Sequence, residues 1–238
     1  MNFLLDGLRQ AWDLITSHNP ALWQLVKVTL EVAGFSTLVA MLIGLPIGLA
    51  LGLGRFRGRT ALMTVANAGL GLPPVVVGLV LALMMFPAAP LGRFHLLFTL
   101  EGVLIAQTVL ALPIIVALSA AALREVAPAV LDQARAFRAP RHRIAVLALR
   151  EARGGILAAI IAAVGSGLSE VGAVVLVGGN IAGLDQTLAS AALQEVQAAH
   201  FAEGMAIGIL LLGLILLLTA LLTLVQDGPG RGWRARAS

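Results

Sequence analysis

The sequence contains no cysteine, which excludes a disulfide framework, a thiolate metal site and a cysteine nucleophile. Charge is scarce as well. Only 12% of the residues are charged while 59% are hydrophobic, and the mean hydropathy is +0.97, so polar side chains are too few to cover a water-soluble surface. The solvent implied is a bilayer. Lysine occurs once, at Lys27; with no Gly-Lys-Ser/Thr loop to grip phosphates, the chain does not itself hydrolyse ATP. His18, His95, His142 and His200 fall in loops or span margins, which leaves no base beside an intramembrane serine. The carboxylates Asp6, Asp13, Asp132, Asp185 and Asp227 are scattered and form no cluster for metal-assisted chemistry. No metal site, bound cofactor or enzyme activity is expected. Internal repeats are absent too, unlike many secondary transporters. Although the formal net charge is +4, no tract interleaves aromatics with arginine, so no nucleic-acid surface is read.

Five apolar runs are long enough to cross a membrane: residues 22–53, 61–86, 100–123, 156–177 and 204–225. The expectation is an all-α, polytopic membrane protein formed by residues 1–238 as one domain. Residues 1–20 lack the basic start and apolar core of a signal peptide. Within them Phe3, Leu4, Leu8, Trp12 and Ile15 recur at helical spacing, predicting an amphipathic surface helix. Basic residues set the orientation. Arg55, Arg57 and Arg59 follow the first run, seven arginines from Arg124 to Arg153 lie between the third and fourth, and Arg231, Arg234 and Arg236 end the chain. All fall on one face in a five-span reading, placing the N-terminus outside and the C-terminus inside the cell membrane. Glycine and proline recur inside the runs, at Gly44, Pro46 and Gly48, at Gly71, Pro73 and Pro74, and at Pro113. They serve either close helix packing or a broken helix lining a pathway, and Pro73-Pro74 is expected to interrupt the second span.

The longest polar connection, residues 124–155, contains Arg124-Glu125-Val126-Ala127-Pro128 and continues to Asp132-Gln133-Ala134, Arg138, Ala139 and Pro140. It resembles the EAA loop of permease subunits of ATP-binding-cassette (ABC) importers, with Asp132-Gln133-Ala134 at the triplet and Arg138 where that family carries glycine. Gly71-Leu72-Pro73-Pro74-Val75-Val76-Val77-Gly78-Leu79 is similar to the second span of tungstate and related molybdate permeases. Ser169-Glu170-Val171-Gly172-Ala173, then Val177-Gly178-Gly179-Asn180-Ile181 and Gln186-Thr187-Leu188, are similar to the stretch that tungstate permeases carry after the loop.

This resemblance implies a type I ABC importer permease fold and import of an oxyanion, tungstate foremost, with molybdate or sulfate as the nearest alternatives. It also implies a homodimer, a cytoplasmic ABC ATPase that uses ATP and Mg, and an extracytoplasmic oxyanion-binding protein. Asp132, Gln133, Ala134, Arg138, Ala139 and Pro140 are then the ATPase-coupling segment, its final turn altered by the loss of glycine at position 138. Candidate pathway or gate residues are Pro73, Pro74, Ser166, Ser169, Glu170, Gly178, Gly179 and Asn180. A carboxylate within a span is costly and repels an anion, so Glu170 is expected to be a gate or an interhelix hydrogen-bonding group. Glu31, Asn67, Gln107, Ser166 and Ser169 are expected to make helix-to-helix hydrogen bonds. Gly178-Gly179 is either an anion-binding pair of backbone amides or a plain turn. Rival readings from other classes are a stand-alone channel or ion-coupled carrier, and a membrane scaffold; the long basic loop weighs against the first and the Gly and Pro breaks against the second.

Overall fold

The computed structural model describes residues 19–226 and, before them, residues 8, 9, 12, 13, 16 and 17. Phe3, Leu4 and Ile15 of the expected surface helix lie outside the described residues, as do Arg231, Arg234 and Arg236; Leu8 and Trp12 are helical and exposed. From residue 19 onward the described residues form ten α-helices: α1 Pro20–Leu53, α2 Arg59–Gly69, α3 Pro74–Met85, α4 Leu100–Arg124, α5 Pro128–Ala136, α6 Arg141–Glu151, α7 Arg153–Ser169, α8 Gly172–Gly178, α9 Leu188–Gln197 and α10 Phe201–Gln226. A 3₁₀ turn at Gly92–Phe94 precedes α4.

Three helices, α1, α4 and α10, are each long and apolar enough to cross a membrane. The pairs α2 with α3 and α7 with α8 pass the same test only jointly, bent by 101° and 58°. Five runs therefore become five spans only if each bent pair is one span. Proline does not break every helix that contains it: α1 runs through Pro46 and α4 through Pro113. Between α2 and α3, Pro73 is extended (φ −66°, ψ 118°) and Pro74 opens α3, where its missing N–H is one that no helical partner would have met. The break between α7 and α8 has a different cause. The Ser169 hydroxyl donates back to the carbonyls of Gly165 and Ser166 at 3.0 and 3.2 Å, and the Glu170 carboxylate accepts the Ala173 N–H at 3.0 Å. Such local side-chain bonds compete with helix continuation.

The chain divides into two compact units. The first comprises residues 1–39, 72–111 and 164–217. In it Ala82 and Met85 of α3, Ala106 of α4, and Ala173 and Val177 of α8 form one apolar cluster, and Val28, Val32, Val103 and Val174 form another. The start of α9 is tied to α1, because the Thr29 hydroxyl accepts the Leu188 N–H at 2.8 Å and the Gln24 amide donates to the Gly183 carbonyl at 2.7 Å.

The second unit comprises residues 40–71, 112–163 and 218–238. Its organising contact is a glycine stripe on α1: Gly44 faces Ile115, Gly48 faces Ser119 and Gly52 faces Leu123 of α4. Both sets of positions recur every four residues, one face of each helix, and the absence of Cβ lets the two backbones approach. A built Cβ on Gly52 would lie 2.7 Å from Leu123 Cβ. Farther along, Leu123, Val126, Leu131, Ala148 and Ala152 are buried together, with Leu49, Leu53 and Ile144 packed against them. Arg59 closes the end of α1 by donating to the carbonyls of Leu51 (2.6 Å) and Gly52 (3.3 Å), neutralising the negative pole of that helix.

Candidate functional site

In the second unit the basic loop is folded rather than open. Residues 124–155 make α5 and α6, with Pro128 in the first turn of α5 and Pro140 as N-cap of α6. Leu131 is buried against the end of α4, which turns Asp132 and Gln133 outward. Asp132 accepts from the Arg135 guanidinium at 2.5 Å, with the side chains 67% and 52% exposed; a pair this wet contributes about 0–1 kcal/mol. Phe137, 79% exposed, is the most exposed large apolar side chain of the segment, and no described residue covers it.

The turn at Arg138 departs from expectation. Substituting arginine for glycine was expected to alter the end of the helix, yet Arg138 adopts φ 52°, the left-handed conformation that glycine favours at this position. Phe137 N–H reaches Gln133 O at 3.1 Å, Arg138 N–H reaches Arg135 O at 2.8 Å and Ala139 N–H reaches Ala134 O at 3.0 Å. The carbonyls at the end of α5 are thus capped as a glycine turn would cap them. The cost is steric crowding between the Arg138 Cβ and the backbone.

The first unit brings together both breaks. Val75, the residue after Pro74, lies against Gly172, two residues after Glu170, and a Cβ built on Gly78 would lie 2.6 Å from Ala173 Cα. From these breaks α3 and α8 pack in step. Pro73, Pro74, Ser169 and Glu170 therefore belong to one locality. Glu170 is half-buried and lies outside both helices, a placement its apolar flanks did not reveal. Among the described residues, Ser166, Ser169 and Gln107 make no interhelix side-chain hydrogen bond. Ser169 bonds within its own helix, Ser166 contributes a carbonyl to that bond, and Gln107 Nε2 is buried with no partner among the described residues. Glu31 and Asn67 are exposed.

Gly178 ends α8, and Gly179 follows in left-handed geometry (φ 89°), its N–H bonded to the Val175 carbonyl at 3.0 Å. Asn180 is left-handed too (φ 58°), and its amide donates to Gln194 Oε1 at 2.9 Å. The residue that organises this loop is one the sequence offered only as a scattered carboxylate. Asp185 is fully buried; its Oδ1 accepts the Ile181 N–H at 2.5 Å, and its Oδ2 lies against Gly178, where any Cβ would overlap it. Burial raises the pKa of Asp185, opposed by the backbone amides of Ile181, Asp185 and Asn180. Asp185 Oδ2 and Asn180 Oδ1 are buried and make no hydrogen bond among the described residues.

Glu195, His200 and Glu203, at the turn from α9 to α10, place one donor atom each within 4.8 Å of one another. The imidazole Nδ1 is 2.9 Å from Glu195 and 3.9 Å from Glu203. That hydrogen bond, reinforced by the charge of Glu203, raises the His200 pKa, and it accounts for the grouping.

Comparison with known proteins matches residues 44–229 to the family described as binding-protein-dependent transport system inner membrane component. A protein of Haloferax volcanii named "Probable anion ABC transporter permease protein" is 40% identical over 218 residues, covering 89% of this chain and 94% of its own length. The tungstate uptake system permease protein TupB of Peptoclostridium acidaminophilum is 25% identical, covering 95% of this chain and all of its own. Among solved structures, an inward-facing conformation of the MetNI methionine ABC transporter superposes with a TM-score of 0.65 at 22% identity, over 88% of this chain and 95% of that one; at that identity the likeness concerns the fold.

Proposed function

Because the chain belongs to the family of binding-protein-dependent transport system inner membrane components, we propose that it is the permease subunit of an ABC importer for a tetrahedral oxyanion, tungstate foremost. The observation that carries this reading is the folded loop of residues 124–155, a two-helix platform presenting Asp132, Gln133 and the exposed Phe137. A channel or carrier has no use for such a platform, whereas a subunit driven from the cytoplasm needs a rigid element to receive the motion of its ATPase. ATP and Mg would be handled by that partner, and the permease would bind no cofactor.

In this mechanism two copies of the chain enclose the pathway, two ATPase subunits dock on the segments from Asp132 to Pro140, and nucleotide binding and hydrolysis switch the pair between inward and outward access. An extracytoplasmic binding protein would supply the cargo. Pro73, Pro74, Ser166, Ser169 and Glu170 would form the moving break, since discontinuous helices are where transporters place pathways. Glu170 would keep α8 anchored through the Ala173 amide rather than touch an anion, which its charge would repel. Gly178, Gly179 and Asn180 would border the outer mouth. Arginine placement supports the N-terminus outside and the C-terminus inside.

The test is ATP hydrolysis by the permease reconstituted with its ATP-binding subunit and binding protein, with tungstate, molybdate and sulfate compared at matched low concentration. Selective stimulation by tungstate supports both machine and cargo. Equal or opposite ranking keeps the importer and reassigns its substrate, and failure to form a complex with the ATPase would sink the importer reading.

A further inference from the structure

The second unit holds a cavity of about 700 Å³ whose lining includes three arginines, Arg55, Arg135 and Arg141. Its apolar wall is formed by Leu49, Leu53 and Ile144. Two observations give the site its chemistry. First, the positive charge is largely uncompensated: Arg135 is paired with Asp132, but no ion pair or hydrogen bond joins the side chain of Arg55 or Arg141 to any described residue. Arg59, by contrast, spends its guanidinium on the end of α1. Second, Arg141 opens α6, an 11-residue helix whose N-cap is Pro140 and which receives no side-chain cap. The positive pole of that helix adds to the attraction for an anion.

The wall identifies the anion's source. Leu49 and Leu53 lie in the last two turns of α1, a candidate membrane span, which places the cavity at the end of that helix beside the arginines that flank it. A free oxyanion gains nothing from leucine and isoleucine; a phosphodiester with an acyl tail uses both halves. We propose that Arg55, Arg135 and Arg141 bind the phosphate of an anionic phospholipid such as phosphatidylglycerol, its acyl chain running along Leu49, Leu53 and Ile144. The site does not depend on the identity of the cargo; because Arg135 belongs to the segment proposed to receive the ATPase, it rests on that reading, and it would make the platform sensitive to lipid composition.

The experiment is native mass spectrometry of the full-length permease in detergent, titrated with phosphatidylglycerol and, separately, with phosphatidylcholine. Wild type should prefer phosphatidylglycerol by about tenfold or more, since each basic side chain at a membrane surface is worth roughly fivefold in affinity. Arg55→Gln with Arg141→Gln should remove the preference. Arg55→Lys with Arg141→Lys should keep most of it, and Arg57→Gln, outside the cavity, should leave it unchanged. Loss in the lysine variant together with the glutamine variant would mark a folding defect and overturn the charge argument. Equal binding of the two lipids by wild type would also overturn the proposal. So would displacement of phosphatidylglycerol by millimolar inorganic phosphate, which would mean a free-anion site. Exclusion of the lipid when the ATPase subunit is added would reassign the surface to that protein.

Discussion

Gly78→Ala sets two effects of opposite sign against each other. Replacing a glycine inside a helix by alanine normally stabilises by about 0.5–1 kcal/mol through reduced backbone freedom in the unfolded chain. At Gly78 the added Cβ would lie 2.6 Å from Ala173 Cα and 3.1 Å from Ala173 Cβ, where carbon atoms prefer about 3.5–4.0 Å. Backbone cannot swing aside as a side-chain tip can, so α3 and α8 must part by about 1 Å, at a cost of roughly 1–3 kcal/mol for overpacking. The steric term outweighs the propensity term over nearly all of that range, leaving a net destabilisation of up to about 2.5 kcal/mol. Gly208→Ala on α10 is the control: nothing lies within 4 Å of its would-be Cβ, so only the propensity term operates and the variant should melt at or above wild type. Both are measured as apparent melting temperature by tryptophan fluorescence in one detergent. The close approach of α3 and α8 would be refuted if Gly78→Ala melted as high as Gly208→Ala.

Arg138→Gly should raise the apparent melting temperature by about 2–3 °C, because it relieves roughly 1 kcal/mol of left-handed crowding; a fall would show that the arginine side chain outweighs its backbone strain. Asp185 has a raised folded-state pKa, so its contribution to stability is complete below the unfolded value of 3.8 and is lost as pH rises through the folded value. Wild-type melting temperature should accordingly decline across that window while Asp185→Asn shows a flatter profile, and parallel profiles would remove Asp185 as the cause. Glu170→Gln, which retains an acceptor for the Ala173 amide, should be mild in transport assays, whereas Glu170→Ala should lose a helix-start bond worth about 0.5–2 kcal/mol and destabilise the protein. Complete loss of transport in the glutamine variant would point to a charge-dependent gate. Ala134→Arg should leave membrane insertion intact and uncouple ATP hydrolysis from transport in the reconstituted system; unchanged transport would remove α5 from the coupling role.

What could be read from the sequence and what could not divide along a physical line. The break at Pro73-Pro74 was legible because its cause is covalent: a missing N–H and a ring that clashes with the preceding turn act whatever the surroundings. The break at Glu170 was not, because Ser169 and Glu170 could equally have sat inside a continuous span. Only the realised bonds to Gly165, Ser166 and Ala173 choose between the two. Gly44 and Gly48 were legible as glycines within the first run, but their partners Ile115 and Ser119, and the continuation of the stripe to Gly52 against Leu123, could not be named without the fold. Arg138 reverses the lesson. A residue-by-residue comparison predicted a changed turn, yet the backbone bonds that close α5 hold the left-handed geometry against the preference of the side chain. Asp185 is the extreme case, since nothing in an isolated aspartate between Leu184 and Gln186 announces complete burial against Gly178. Its contact also explains why position 178 must lack a side chain, so the glycine that the sequence offered as an anion donor is required first of all to make room for a carboxylate.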